Sequence, residues 1–157
     1  MKTRSGFVSN SSSSSFIVID PSPVPDDYRL SSGHEGKTII LGLDGEAEFG
    51  WGTETLYGVH DRLNFAYLQA LYFEFSNVLG LHLERLNAAI IRRTGATDVQ
   101  WMITPCHKTS NELRYGYIDH QSAACEGENT QMFDSDDSLD RFLFGANSMI
   151  HLDNDNH

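Results

Sequence analysis

Apolar positions fall into short runs early and late in the chain and into helical periodicity in the middle. Phe16 to Ile19 is a short apolar run and predicts a buried strand; Asp20 to Pro25 ends it, because proline lacks a ladder donor. Thr38 to Leu43 predicts a second strand. Asp44-Gly45 is a turn signal, so Ala47 to Phe49 is expected to pair back as a short third strand. Val59 to Phe75 predicts a helix with two apolar stripes, Val59, Leu63, Ala66, Ala70 and Phe73 on one and Phe65, Leu68, Tyr72 and Phe75 on the other. A helix apolar on two sides is buried between layers, or one stripe serves a partner or a second copy. Leu81 to Thr94 predicts a second helix, with Leu83, Leu86 and Ile90 as its core stripe. Arg92 and Arg93 suit its C-terminal end, and Gly95 suits the position beyond it.

Val99 to Thr104 alternates as a strand does, and it is expected to form a hairpin with a strand near Leu113 to Ile118. Thr130 to Phe133 reads as another short strand. Ser135 is the N-cap of a third helix, with Asp136 and Asp137 in its first turn and Leu139, Phe142 and Leu143 facing the core; Gly145 stops it. Met149 to Leu152 reads as the last strand. The order implies an α+β fold: a mixed or mainly antiparallel sheet of five or six short strands, with three helices, two of them central in the sequence. Residues 1–15, with five consecutive serines, read as a flexible arm, and residues 16–157 as one globular domain.

Composition adds a charge argument. The 157 residues carry 22 acidic and 11 basic side chains, a formal charge of −11. That balance opposes direct binding of nucleic acid or anionic membrane, which needs Lys and Arg. It suits a basic protein partner. The acids gather toward the end of the chain, where Asp134, Asp136, Asp137 and Asp140 form a candidate binding surface. Such a surface is either a solvated face or an occupant of a basic groove, including a nucleic-acid-binding one. Trp51, between two glycines, is either a partner anchor or a cap on the core. No apolar run is long enough to cross a membrane as a helix. The opening segment lacks the apolar core of a secretory signal, so a reducing interior with Cys106 and Cys125 as free thiols is expected.

Phosphate-binding loops, the nucleophile elbow and the His-Glu-x-x-His zinc pattern are all missing. One constellation remains. Cys106, His107, His120 and Cys125 are zinc-type donors, but their spacing matches no standard zinc module, and neighbouring Cys106 and His107 would need unusual backbone geometry to ligate together. Asp119 and His120 would make an acid–base pair with Ser122 or Cys125 as nucleophile, although adjacent strand residues point to opposite faces. Asp153, Asp155 and His157 read as a hard-cation set or as a polar tail. His34, His60 and His82 stand alone. The expected cofactor is none, with zinc as the alternative.

The opening RSGFVSNSSSSSFIV (Arg4 to Val18), GYIDHQS (Gly116 to Ser122) and MFDSDDSLDRFLFGANSMIHLDNDN (Met132 to Asn156) resemble segments of small tailed-bacteriophage proteins; EFGWGTE (Glu48 to Glu54) fits the same group. The resemblance implies a phage product in the cytoplasm of a bacterial host and assigns no catalytic residue. The expected function is that of a non-catalytic accessory protein that binds a host or phage protein. A virion or assembly component and a small metal- or His/Asp-dependent enzyme are the alternatives. A homo-oligomer is compatible with each.

Overall fold

The computed structural model describes residues 4–6, 15–44, 48–49, 53–74, 80–104, 106–109, 112–114, 117–118 and 131–153. It shows an α+β fold with three α-helices, two of them central in the sequence. Strands β1 (Arg4–Gly6), β2 (Phe16–Val18), β5 (Glu54–Leu56) and β10 (Met149–Leu152) form an antiparallel sheet in the order β1-β2-β10-β5. Alternation gives this sheet two unlike faces. Ile17, Ile150 and Leu152 point into the core, each at most 2% exposed, while Phe16 and His151 alternate with them on the other face. The strand β1 comes from the serine-rich opening and pairs Ser5 with Ile17. Ser15 is buried, and its hydroxyl accepts from the Asp153 amide at 3.1 Å.

A second ladder is parallel. Strands β3 (Thr38–Asp44) and β6 (Asp98–Thr104) stay in register over all seven pairs, from Thr38 with Asp98 to Asp44 with Thr104. The connection between them carries helices α1 (Val59–Glu74) and α2 (Leu81–Thr94), as a parallel pair requires a long crossover. Ile39, Leu43 and Val99 are buried, and Leu41 and Trp101 pack against the core from the same face. The Trp101 indole donates to Asn87 of α2 at 2.8 Å, which satisfies its one polar atom.

Helix α1 is the centre of the molecule. Every residue from Arg62 to Ala70 is buried, so over this stretch both apolar stripes are used internally and neither faces a partner. It packs against α2 and against α3 (Asp136–Phe144). Phe65 meets Phe49 edge-on at 5.3 Å and Phe142 at 6.4 Å. Arg62 is buried as well, and its guanidinium donates to the carbonyls of Phe142 at 3.0 Å and Gly145 at 2.7 Å. Those oxygens lie at the C-terminal end of α3, where helix carbonyls lack intrahelical donors and a cation is favourable. Helix α2 ends as its sequence implies. Gly95 adopts φ 72° and donates to Ile91 at 2.9 Å.

Three expectations change. Strand β4 (Glu48–Phe49) does not fold back on β3; it pairs in parallel with β9 (Tyr117–Ile118). Thr38–Asp44 finds β6 instead, because a turn signal fixes a reversal but not the partner of the next strand. The segment Val99–Thr104 does not form a hairpin with Leu113–Ile118. The antiparallel hairpin here is the shorter β7 (Cys106–Thr109) with β8 (Glu112–Arg114). Residues Gln131–Phe133 form a 3-10 turn rather than a strand, burying Met132 and Phe133 and leading directly into the cap of α3.

Candidate interaction surface

Ser135 opens α3 with an extended backbone, and its hydroxyl accepts from the Ser138 amide at 3.0 Å. That cap fixes where the four acids of the candidate binding surface lie. Asp134, Asp136 and Asp137 are exposed around the helix N-terminus, where the helix dipole favours carboxylates. Asp140 lies one turn on and is only 8% exposed. Its Oδ2 accepts from the Arg93 Nε at 3.0 Å and Nη2 at 2.6 Å, and its Oδ1 accepts from Arg92 at 3.1 Å. Arg92 also approaches Asp136 at 3.7 Å, and Arg141 pairs with Asp137 at 2.6 Å. The acids of α3 are therefore answered by three arginines of the same chain. Asp140 acts as a clamp between α3 and the C-terminal end of α2 rather than as a surface charge. Asp134 is the one of the four with no ion pair among the described residues.

A cleft of about 230 Å³ lies beside this helix end, lined by Ile17, Ile19, Gln131, Asp134, Ser138 and Arg141 among others. Asp20 closes one side and is fully engaged. It accepts from the amides of Ser22 and Asn147, each at 2.8 Å, and from the Asn147 side chain at 3.0 Å. Those amide donors hold its carboxyl below the usual aspartate value of 3.8. Arg141 donates to the Pro21 carbonyl at 3.0 Å besides its pair with Asp137, and the Ser138 hydroxyl accepts from Ser135 at 3.0 Å. No imidazole or thiol lines the cleft among the described residues.

Asp119, His120, Cys125 and Trp51 lie outside the described residues. Cys106 and His107 lie side by side in β7, with Cys106 opposite Arg114 in the ladder. Among the described residues, no group of three or more His, Cys, Asp or Glu side chains could hold a metal ion. No helix is long and apolar enough to cross a membrane, again among the described residues.

The surface that sequence reasoning missed is the outward face of the β3–β6 ladder. Ile40 is 57% exposed and Met102 is 61% exposed. Ile40 sits opposite Gln100 and Met102 opposite Gly42, so the two are diagonal neighbours on one face. Gly42 adds no side chain between them. Thr38 and Asp98 occupy one end of this face, and Asp44 and Thr104 hold the corresponding register positions at the other end. Parallel ladders are ordinarily covered on both faces, and here the helices cover one. The result is an apolar centre between two aspartate positions. Comparisons with protein-family models, with curated proteins and with solved structures find no match.

Proposed function

We propose that this chain is a bacteriophage accessory protein that acts by binding a protein partner, of host or phage origin, without catalysis. The observation that supports it is the exposed Ile40–Met102 face of a parallel ladder. Large apolar side chains on such a face lose their water contact when a partner covers them, and each contributes about 1.5–3 kcal/mol on full burial. The partner that fits is a protein with a basic surface beside an apolar projection. The positions of Asp98 and Asp44 flank the apolar centre, and the whole chain carries −11, which disfavours a second copy of itself as the occupant. A seven-residue ladder spans only about 23 Å, so the contact extends beyond this face onto the flanking acids. The resemblance of the opening and closing segments to phage proteins supports the setting.

The test uses the full chain immobilised as wild type and as Ile40→Lys and Met102→Lys variants. Both positions are exposed, so the variants fold with stability within about 0.5 kcal/mol of wild type. Host lysate is passed over each at low and moderate salt. A basic protein retained by the wild type, weakened by salt and lost from both variants is the expected result. Equal recovery on all three columns, or recovery of nothing, overturns the proposal.

A further inference from the structure

Gly42 stands mid-strand on the outward face of the β3–β6 ladder, and its own surroundings do not call for a glycine. Its φ lies outside the left-handed range. A Cβ at this position would meet no heavy atom within 4 Å among the described residues. A glycine in a strand interior gives up more conformational freedom on folding than other residues and packs nothing, so it weakens the ladder. Such a glycine often marks a place where a ligand or another chain comes close to the backbone. Ile40 precedes Gly42 by two residues on the same face, and Met102 sits opposite it in the register. Gly42 is itself exposed, as are both of these neighbours. The space over Gly42 is therefore a notch with a bare peptide floor and apolar walls. The outward alternation continues to the Asp44 position, about 6.6 Å further along β3, and Asp98 is exposed at the other end of the face.

We propose that the notch over Gly42 receives an arginine side chain of the protein partner, its aliphatic stem between Ile40 and Met102 and its guanidinium toward the acidic end of the face. The inference rests on the contact surface proposed above and names the group that enters it. Arginine buries its stem along apolar surface while its charged head stays in water, which matches an apolar centre that gives way to an aspartate position. A wholly apolar side chain would fill the notch without gaining from the flanking acids. An acidic one is repelled by a chain that carries −11. A lysine head is more strongly hydrated than a guanidinium, and lysine is depleted where interfaces are buried while arginine is enriched. Any side chain at position 42 would occupy the space that the stem needs. Substitution of this glycine therefore has two effects of opposite sign: the free protein gains stability and the contact is blocked.

Gly42→Ala and Gly42→Val in the full-length protein separate the two effects. Both are expected to leave Tm unchanged or to raise it by about 1–4 °C. Binding is read from the methyl signals of methionine-labelled protein, titrated with a capped alanine peptide carrying arginine at alternate positions, and with its lysine, norleucine and glutamate counterparts. The arginine peptide at millimolar concentration is expected to shift Met102 saturably and to leave the buried Met132 unmoved. The lysine peptide binds at least about threefold more weakly, and the norleucine and glutamate peptides do not shift Met102. Gly42→Val weakens the arginine peptide at least about fivefold, and Gly42→Ala weakens it less. No shift at Met102, equal affinity for wild type and Gly42→Val, or a lysine, norleucine or glutamate peptide that binds as well as arginine overturns the proposal. So does a fall in Tm of more than about 4 °C in Gly42→Ala, which would show that the fold itself needs the glycine. Failure of the contact surface reads differently, as equal retention on the wild-type, Ile40→Lys and Met102→Lys columns. A basic protein lost from those two variants but kept by Gly42→Val removes the arginine notch and leaves the contact surface standing.

Discussion

Replacing Asp140 by alanine separates a structural acid from a surface acid. The Asp140 side chain is 12% exposed and its partner Arg93 is 11% exposed, so the substitution leaves a nearly buried guanidinium facing a space where its carboxylate was. Removing one member of such a pair costs about 3–5 kcal/mol, because the remaining charge stays desolvated. Two features reduce the figure. Arg92 is 40% exposed and regains water, and Arg93 keeps its bond to the Pro25 carbonyl at 2.8 Å. A loss of about 3 kcal/mol is therefore expected, which in a chain of this length lowers Tm by about 6–12 °C. Asp136→Ala is the contrast. Its carboxylate is 66% exposed and 3.7 Å from Arg92, so it loses no more than about 0.5–1 kcal/mol. Urea unfolding of the two variants, with Arg93→Ala and the Asp140/Arg93 double variant closing a cycle, gives the coupling directly; about 2 kcal/mol is expected. A loss at Asp140 below about 1 kcal/mol, or a coupling near zero, refutes the clamp between α2 and α3.

Two further outcomes concern Arg62 and His82. Arg62→Ala removes the guanidinium donor from the Phe142 and Gly145 carbonyls, leaving Gly145 only the Ser148 amide at 3.3 Å, and opens a void beside α3; a loss of about 3 kcal/mol is expected by urea unfolding, and a loss under about 1 kcal/mol shows that water replaces the guanidinium. His82 stacks on Phe133 at 4.4 Å, and burial, with the nearby Arg85 charge, holds its imidazole below the ordinary value of 6.5. The unfolded chain then takes up the proton first. His82 contributes fully above pH 6.5, and that contribution falls as pH drops from 6.5 through its lower folded value. Urea midpoints of wild type and His82→Gln across this range are expected to converge as pH falls, whereas parallel curves contradict the assignment.

The elements that could be read from residues alone are those in which several signals agree. Leu81–Thr94 has its stripe at Leu86 and Ile90, its cations at the end and its glycine beyond, and the helix spans those residues. Ser135, Asp136 and Asp137 mark the start of α3 in the same way. Pairing was less legible. The run Thr38–Leu43 is apolar almost throughout, which does not reveal that Ile39 and Leu43 turn inward while Ile40 turns to solvent. Met132-Phe133 is too short to distinguish a strand from a turn that buries two side chains. Asp140 looked like its acidic neighbours, yet it directly follows the fully buried Leu139 and faces the arginines of α2. A charge flanking a core stripe, with two arginines at another helix end, was the available sign.

Contact of the proposed basic partner with the outward face of the parallel ladder is tested at the surface itself by a photo-crosslinking side chain placed at Met102 in the full-length protein, in host cells expressing it, with one at Ala146, an exposed turn residue after α3, as the control. The prediction is a covalent adduct with one basic protein from position 102 and not from 146. Adducts only between copies of this chain, the same adducts from both positions, or none from position 102 would contradict it.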